Sequence, residues 1–266
     1  MQPEEVGGGK RVASIFVTGS SDGIGLETAR QLASAGHRVV LHGRNQRRAD
    51  DARGSVPGAA GCAVGDLSDI AGIQDAIGSA NDLGPYDAVI HNAGVYILPR
   101  RQPGAAGTER VFTINVLAPY LLTAGMPLPS RLVYLTSGLA SGGRVNLADL
   151  RWEDRTWNGM QAYCDSKLYV IMLAFAVARR YPHVCGNAVD PGWVATRMGG
   201  PGAPLSVPEG ADTPVWLAAS DDPGALVSGR LFRQRAEVKA SAAARDAGLQ
   251  DALLGACARL SGVSLP

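Results

Sequence analysis

Two short segments of this sequence contain the residue types and spacings from which chemistry can be inferred. The first, Thr18 to Gly25, reads Thr-Gly-Ser-Ser-Asp-Gly-Ile-Gly. The second reads Tyr-Cys-Asp-Ser-Lys and places the Tyr163 phenol four residues before the Lys167 ammonium. Side chains at this spacing lie on one face of a helix. A glycine-rich turn that opens a helix can bind phosphate, and a phenol beside an ammonium can move a proton.

The first segment has the flanking pattern that a phosphate-binding turn requires. An apolar run, Val12–Val17, precedes it, and a helical pattern begins near its last residues. The first glycine allows a tight turn, and the next two let the backbone approach a pyrophosphate at the positive end of the helix. A plain glycine-rich turn is the alternative. We expect a dinucleotide to contact Gly19, Ser20, Ser21, Gly23, Ile24 and Gly25.

The residues after the second predicted strand indicate which dinucleotide binds. A site that prefers NAD carries an acid there, about 20 residues past the glycines, which holds the ribose hydroxyls. Residues 41–45 read Leu-His-Gly-Arg-Asn and contain no acid. Arg44 can instead pair with a 2′-phosphate, helped by Ser20 or Ser21, unless it is only a solvated loop charge. The sequence therefore favours NADP(H), with NAD(H) as the alternative.

Alternating strand and helix patterns must position these segments. The predicted strands are Val12–Val17, His37–Leu41, Gly61–Val64, Tyr86–His91, Arg131–Leu135, Val184–Val189 and Arg230–Arg233. The predicted helices are Ile24–Ala35, Asp69–Ala80, Thr108–Ala124, Gly159–Arg180, Pro208–Ala219 and Ala242–Leu260. Such alternation indicates a parallel sheet covered on both faces. We predict a single α/β Rossmann-like domain over residues 1–266, with a doubly wound parallel sheet of about seven strands. Within it, residues 193–208 form a substrate loop and 240–266 a helical tail.

Composition and charge exclude several other classes of protein. Of the 266 residues, 46% are apolar and 18% charged, as in ordinary globular proteins. A net charge of +1 gives no reason to expect nucleic acid or a membrane surface as a partner. The four cysteines have no metal-like spacing, so we expect reduced thiols and no metal. The first ten residues are polar and no apolar run could span a membrane, which predicts a cytoplasmic protein.

With these motifs in this order, residues 12–234 resemble the short-chain dehydrogenase/reductase family. The glycine segment has the family's Thr-Gly-x3-Gly-x-Gly form. Asp66 and Leu67 resemble its adenine-contacting segment. Residues 91–94, His-Asn-Ala-Gly, resemble the Asn-Asn-Ala-Gly that follows the fourth strand, with His91 in place of the first asparagine. The resemblance implies further cofactor contacts from Asn92, Ala93, Gly94, Pro191, Gly192, Val194 and Thr196.

The resemblance also implies a catalytic tetrad of Asn115, Ser137, Tyr163 and Lys167. Tyr163 is then the acid/base that accompanies hydride transfer, and Ser137 bonds the substrate oxygen. Lys167 binds the nicotinamide ribose, and Asn115 holds a water that relays protons. A tyrosine pKa of about 10 must fall by about three units for work near neutrality, a shift that we expect from Lys167 and an oxidised nicotinamide. The implied function is an NADP(H)-dependent oxidoreductase that interconverts a carbonyl and an alcohol. The alternative is a non-catalytic dinucleotide-binding regulator or scaffold.

Two stretches depart from the family pattern. Ser137 and Tyr163 are 26 positions apart, a long spacing that resembles the branch of retinol dehydrogenases and carbonyl reductases. It implies an apolar carbonyl or alcohol substrate. The pocket would be formed by Leu139, Trp152, Trp157, Met160, Trp193 and Met198, any of which could be ordinary packing instead. Gly125, Pro127 and Pro129 shorten the helix after Asn115. In the family this helix and the Tyr-Lys helix commonly pack against a second subunit, so we expect a homodimer or monomer rather than a tetramer.

Overall fold

Eight strands form one sheet in the computed structural model, which describes residues 11–266. They are β1 (Ser14–Val17), β2 (Arg38–Gly43), β3 (Gly61–Val64), β4 (Ala88–His91), β5 (Arg131–Leu135), β6 (Cys185–Val189), β7 (Leu231–Arg233) and β8 (Ala236–Glu237). The order across the sheet is 3-2-1-4-5-6-7-8, and only the β7–β8 pair is antiparallel. The sequence predicts about seven strands and misses β8, because two residues after a turn carry no periodic signal. The polar first ten residues, on which part of the prediction of a cytoplasmic protein rests, lie outside the described residues.

The strand order places a crevice at the carboxyl end of the sheet. The chain reverses its direction of winding between β1 and β4, which are direct neighbours, with Val17 opposite Ile90. In doubly wound sheets, ligands bind outside the carboxyl ends of the strands at this point. The glycine segment follows β1, and His91-Asn92-Ala93-Gly94 follows β4, so both predicted cofactor segments meet at the crevice.

Helices cover both faces of the sheet. They are α1 (Gly23–Ser34), α2 (Gln46–Ser55), α3 (Ile70–Asp82), α4 (Arg110–Phe112), α5 (Ala118–Gly125), α6 (Gly159–Arg180), α7 (Val207–Ala219), α8 (Ala242–Arg245) and α9 (Ala247–Ser261). Alternate strand residues face opposite cores: Ile15 and Val17 pack with α1 and α7, whereas Phe16 packs with α3, α5 and α6. The doubly wound architecture predicted from the sequence is confirmed.

Three helical regions differ from the sequence pattern. The predicted helix over 108–124 is divided into α4, a π-helical turn over Thr113–Leu117, and α5, which ends at Gly125 as the glycine and prolines predict. The predicted tail helix is divided into α8 and α9. The helix α2 was not predicted, because it buries only Ala49 and Ala52 and lacks an apolar stripe.

The C-terminal tail packs on the Tyr-Lys helix. Residues 162–177 of α6 are all buried, which requires neighbours around the whole helix, and α8 and α9 supply one side. The last residues are anchored on α5 and α6: the Tyr120 hydroxyl donates to the Val263 carbonyl at 2.8 Å, and Arg180 Nε donates to the Pro266 carbonyl at 3.1 Å. Within residues 11–266, none of the helices combines the length and apolar character needed to cross a bilayer.

Candidate active site

The glycine segment forms a tight turn between β1 and α1. Gly19 and Gly23 have φ of +63° and +53°, a region that favours glycine. A Cβ at Gly25 would lie 2.2 Å from Asn92 Nδ2, so this glycine is needed for close packing. Asp22 caps α1 by accepting from the Gly23 amide at 2.8 Å. The amides of the next residues have no acceptor inside the helix, as at every helix N-terminus, and lie at the crevice.

Side chains from the β4 segment hold this turn in place. Asn92 Nδ2 donates to the carbonyls of Thr18 and Gly19, at 2.9 and 3.1 Å. The Thr18 hydroxyl accepts in return from the amides of Asn92 and Ala93, each at 3.0 Å. The two predicted cofactor segments therefore form one hydrogen-bonded unit.

His42 braces the same turn from β2. Its Nδ1 accepts from the Gly19 amide at 3.1 Å, and Nε2 lies 3.0 Å from the Gly65 carbonyl, which assigns the proton to Nε2. Burial lowers the pKa of His42, which fits this neutral form. The Ser20 hydroxyl accepts from the His42 amide at 2.8 Å, and Ser20 is completely buried. Ser20 was one of the two serines expected to assist Arg44; its hydroxyl holds the turn to β2, and its contact with a 2′-phosphate stays a prediction.

Two arginines lie beside the turn where β2 ends. Arg44 is exposed directly after β2, as the sequence predicts for a residue that meets a ribose phosphate. Arg48, in the first turn of α2, was not singled out from the sequence. Its Nη2 donates to the Ser21 carbonyl at 3.4 Å and lies 3.9 Å from Asp22 Oδ2. After the next strand, β3, Asp66 is half-buried, and Leu67 packs into the core.

Tyr163 is the buried phenol of the site. Its ring makes an edge-to-face contact with Tyr96, with centroids 4.8 Å apart. Burial raises the pKa of Tyr163 to about 12, and a hydrogen bond from Ser137 partly opposes this effect. Loss of hydration is the largest effect on this phenol in the protein alone, and the lowering expected from Lys167 together with an oxidised nicotinamide stays a prediction.

Lys167 is buried one turn along α6, with its Nζ 5.6 Å from the centroid of the Tyr163 ring. Nζ donates to the Leu135 carbonyl at 3.0 Å, and the Thr136 hydroxyl donates to the Lys167 carbonyl at 2.7 Å. These two bonds fix α6 to the end of β5, directly before Ser137. Burial lowers the pKa of Lys167 to about 8.

Asn115 lies in the π-helical turn, next to the lysine. Its Oδ1 accepts from the Val95 amide at 2.9 Å, and its Nδ2 donates to the Val95 carbonyl and to Ser166 Oγ, at 3.1 and 3.0 Å. A Cβ at Gly94 would lie 3.3 Å from Asn115 Oδ1 and 3.5 Å from Lys167 Nζ. The Asn115 side chain thus bonds residues beside Lys167 and does not cap its own helix. Turns of π-helix often occur at functional sites.

The loop after β6 closes over the glycine turn. Gly192 adopts φ of +83°, and Val194 pairs with Leu205 in an isolated parallel bridge. Thr196 reaches the turn, since a Cβ at Gly23 would lie 3.4 Å from Thr196 Cγ2. Arg197 Nη2 lies 2.8 Å from Asp22 Oδ2 and ties the two loops together.

Comparison with known proteins shows which family this chain belongs to. The model of the short chain dehydrogenase family matches residues 13–203. The chain belongs to the short-chain dehydrogenase/reductase family. It is 37% identical to the short-chain dehydrogenase chry4 of Gibberella zeae, over 96% of this chain and 99% of that protein. It is 38% identical to the short-chain dehydrogenase chyC of Penicillium rubens, over 96% and 100% of the two chains.

A solved structure agrees with the fold of this dehydrogenase/reductase. The crystal structure of an uncharacterized protein from Mycobacterium paratuberculosis superposes with a TM-score of 0.83 and 25% identity, covering 96% of this chain and 95% of that one. The family and fold predictions are thus confirmed, and the chain is an oxidoreductase of this family. Members bind a nicotinamide dinucleotide. The residues here fit such a cofactor. The turn packs so closely that a Cβ at Gly19 or Gly25 would clash with neighbouring atoms, and it leads directly into the N-terminus of α1 at the crevice.

Most of the apolar side chains predicted to contact the substrate are exposed. Seven large apolar side chains are exposed within residues 11–266, and four of them are predicted substrate contacts: Leu139, Met160, Trp193 and Met198. Trp157 is half-buried and donates from Nε1 to the Leu98 carbonyl at 3.0 Å. The segment 96–98, which follows the His-Asn-Ala-Gly residues and includes Tyr96, lies against the start of α6.

Trp152 departs from the predicted pocket. It is buried, with the Arg155 guanidinium 3.6 Å from its ring centroid. Arg155 also lies 3.2 Å from Asp149 and 3.5 Å from Asp165. Trp152, Arg155 and Asp165 line a small cavity on the face of α6 that Ala162 and Tyr169 share. That face is turned by roughly a third of a helical circle from Tyr163. We therefore assign Trp152 to the anchor of the long loop rather than to the substrate pocket.

Sequence reasoning missed four groups at this site. Asp190, Tyr96, Arg48 and Arg197 lie within one to four residues of motifs that the sequence does indicate. Asp190 is the one of the four that the sequence could have indicated, because it directly precedes the Pro191-Gly192 pair of the predicted nicotinamide segment. The contacts of the other three depend on the paths of loops.

Proposed function

We propose that this family member is an NADP(H)-dependent oxidoreductase that interconverts a ketone or aldehyde with an alcohol. The observation that supports the proposal most directly is the convergence of Tyr163, Lys167, Ser137 and Asn115 beside the glycine turn. The segments that contribute them are separated by 20 or more residues in sequence, apart from the Tyr-Lys pair. The alternative of a non-catalytic regulator explains neither the buried lysine nor the four matching side chains.

In this proposal Tyr163 moves the proton. A phenol with a pKa of about 12 is protonated near neutral pH, which is the form that donates to a carbonyl oxygen during reduction. Ser137, which hydrogen-bonds the same phenol, orients the substrate oxygen and stabilises the charge that develops on it. When bound, the nicotinamide supplies or accepts the hydride. Lys167 holds the ribose and favours the phenolate once the proton has left, while Asn115 links Lys167 to solvent through water.

The proposed preference for NADP(H) rests on charge at the end of β2. Arg44 is exposed there with no acid beside it over residues 41–45, and Arg48 reaches the Ser21 carbonyl from the next helix. A guanidinium binds phosphate through paired hydrogen bonds, whereas a carboxylate at this place would bind ribose hydroxyls and repel the phosphate. Ser21, unlike Ser20, is partly exposed and can assist.

The proposed substrate is apolar near its reacting carbon. Leu139 follows Ser137 by two residues, and Met160 lies one turn before Tyr163. Trp193 and Met198 extend from the loop after β6. Exposed apolar groups of this size, grouped at a site, favour binding of an apolar ligand.

The proposed oligomeric state is a monomer, or a dimer through another face. Helices α5 and α6 commonly form subunit contacts in this family, but here α8, α9 and the last residues pack on them. Light scattering of the intact protein should give the mass of one or two chains; a tetramer would refute this proposal.

Binding and turnover test the proposed function. In a fluorescence titration, NADPH should bind more tightly than NADH, and Arg44→Asp should weaken NADPH binding far more than NADH binding. Arg259→Asp, an exposed site on α9, is the charge-matched control. In a carbonyl screen with NADPH, Tyr163→Phe should abolish turnover, whereas Tyr86→Phe, which removes a remote hydroxyl, should not. Failure to bind either cofactor would overturn the proposal, and equal loss of both affinities in Arg44→Asp would overturn the preference for NADP(H).

A further inference from the structure

Asp190 is a buried carboxylate at the carboxyl end of β6, outside the motifs discussed above. It is 7% exposed. Its amide donates to the Phe232 carbonyl at 2.8 Å, and its Oδ1 accepts from the Gly192 amide at 2.9 Å. These bonds fix the carboxylate but leave its charge to be balanced. A buried charge is costly unless a cation lies near it.

Arg233 lies beside Asp190 along the edge of the sheet, and the Lys167 ammonium is bonded to the strand on its other side. On one side, Arg233 at the end of β7 has its Nε 3.8 Å from Asp190 Oδ2, and its side chain is 50% exposed. On the other side, Leu135 pairs with Val189, the residue before Asp190, and the Leu135 carbonyl accepts from Lys167 Nζ. The carboxylate also approaches Ser137, since a Cβ at the next residue, Gly138, would lie 3.2 Å from Asp190 Oδ2.

We propose that Asp190 is the counter-ion of the Lys167 ammonium and is shared with Arg233 across the ends of β5, β6 and β7. The proposal deepens the function proposed above, on which the use of Lys167 rests. Asp190 acts through Lys167 and is a positioning residue. Arg233 lies beside Asp190 Oδ2 and partly neutralises the carboxylate, so it weakens the attraction between Asp190 and the Lys167 ammonium.

The electrostatics of the neighbouring groups support this arrangement. Burial lowers the pKa of Lys167, and the Asp190 carboxylate opposes that effect. The charge of Asp190 also raises the pKa of Tyr163. The other groups that act on Tyr163 are the hydroxyl of Ser137, the phenol of Tyr96 and the thiol of Cys164.

The sign of each substitution follows from these charges. Asp190→Asn removes the charge that opposes desolvation, so the pKa of Lys167 falls below about 8 and that of Tyr163 falls with it. Turnover that needs a charged lysine and a protonated phenol is then lost at a lower pH than in the native protein. Arg233→Gln frees the Asp190 carboxylate from its competing cation and shifts both pKa values in the opposite direction.

The sequence offers a direct way to measure this effect. The chain has three lysines, Lys10, Lys167 and Lys239, so labelling lysine Nζ with ¹⁵N gives three assignable signals. Replacing Lys10 or Lys239 by arginine assigns them. In the intact protein, Asp190→Asn should lower the midpoint of the Lys167 titration by about one pH unit. Arg233→Gln should raise the midpoint, and Asp190→Glu, which keeps the charge, should stay near the native value.

Two outcomes would overturn the proposal. If both Asp190→Asn and Arg233→Gln leave the Lys167 midpoint unchanged, Asp190 only holds the turn at Gly192. If Asp190→Asn does not fold, which circular dichroism reveals, Arg233→Gln decides together with Arg235→Gln, which removes an arginine of the same turn that pairs with Asp212 instead. A midpoint raised by Arg233→Gln and not by Arg235→Gln supports the counter-ion, and any other result refutes it. The NMR measurement needs no turnover. A native protein without NADPH-dependent activity would therefore contradict the proposed function and leave the counter-ion result standing.

Discussion

Removing the Asn92 amide tests whether the β4 segment holds the glycine turn. The Nδ2 group donates to two carbonyls, those of Thr18 at 2.9 Å and Gly19 at 3.1 Å. It also lies where a Cβ on Gly25 would be, so Asn92 packs against the start of α1. Asn92→Ala should therefore both destabilise the protein and weaken dinucleotide binding.

The expected loss of stability can be estimated from these two bonds. Each hydrogen bond contributes about 1 kcal/mol net, and a buried carbonyl left without a donor costs about 1–3 kcal/mol more. Thr18 is 1% exposed, so water cannot replace the lost donor at its carbonyl, whereas Gly19 is partly exposed and its carbonyl can be hydrated. Only one carbonyl then carries the full penalty. Together with about 2 kcal/mol for the two bonds, this lowers the expected free energy of unfolding by about 3–5 kcal/mol.

Urea unfolding and NADPH titration measure the two effects separately. The urea midpoint should fall with an unchanged slope, and NADPH should bind at least about tenfold more weakly, or about 1.4 kcal/mol. Asn81→Ala is a matched control, because it removes one donor, to the Gly125 carbonyl at 3.0 Å, from an exposed residue away from the crevice. Its cost should stay below about 1 kcal/mol. Asn92→Asp should be worse than Asn92→Ala, because a carboxylate would face the two carbonyls.

The reasoning would be refuted if Asn92→Ala unfolded at the same urea concentration as Asn81→Ala and bound NADPH with native affinity. The glycine turn would then keep its shape through its own dihedral angles. A loss of stability with full NADPH affinity would separate the two roles: the amide would support the fold, and the turn would not need it to bind the cofactor.

Three other substitutions address the loop, the tetrad and the buried histidine. Arg155→Met leaves two buried carboxylates, Asp149 of the long loop and Asp165 of α6, without their cation; it should lower the free energy of unfolding by about 3–5 kcal/mol and open residues 143–158 to protease, whereas exposed Arg151→Met should not. Gly94→Ala places a methyl 3.5 Å from Lys167 Nζ and should reduce turnover at least about tenfold with little change in melting temperature; native turnover would contradict it. Burial lowers the pKa of His91 to about 3, so stability should decline by up to about 1.4 kcal/mol per pH unit as the pH falls below about 6.5. In His91→Asn, urea midpoints measured from pH 7 to 4 should show a shallower decline, and equal slopes would exclude His91 as a source.

The parts of the site that the sequence predicts are those fixed by backbone topology. The carboxyl ends of parallel strands meet at one edge, so a glycine turn after β1 and a serine after β5 must lie near each other once the strand order is known. The four-residue spacing of Tyr163 and Lys167 likewise fixes their shared face, because a helix has a set period. These predictions needed no knowledge of side-chain contacts.

The features that the sequence does not predict depend on which way a side chain turns or on a balance of opposing energies. Ser20 belongs to a phosphate-binding turn, yet its hydroxyl points to the His42 amide. Trp152 lies in the long loop between Ser137 and Tyr163, where a backbone φ of +55° accompanies a course that buries it beside Arg155. The pKa of Tyr163 depends on desolvation against nearby charge, and residue order gives neither magnitude. Neither apolar composition nor membership of a motif predicts the direction of the Ser20 hydroxyl, the burial of Trp152 or the pKa of Tyr163.

The polar residues around the crevice explain how a glycine-rich turn can hold a fixed shape. Glycines make the turn sterically accessible but leave the unfolded chain more freedom to lose on folding. Here two side chains from the strands on either side of β1 bond the donors and acceptors of the turn. His42 belongs to β2, and Asn92 directly follows β4. Elsewhere along the crevice the bonds differ: Thr136 ties the end of β5 to α6, and Asp190 holds the turn at Gly192 in its own loop. The glycine turn is thus held by its two neighbouring strands, so a change at His42 or Asn92 is expected to reach the cofactor through the turn.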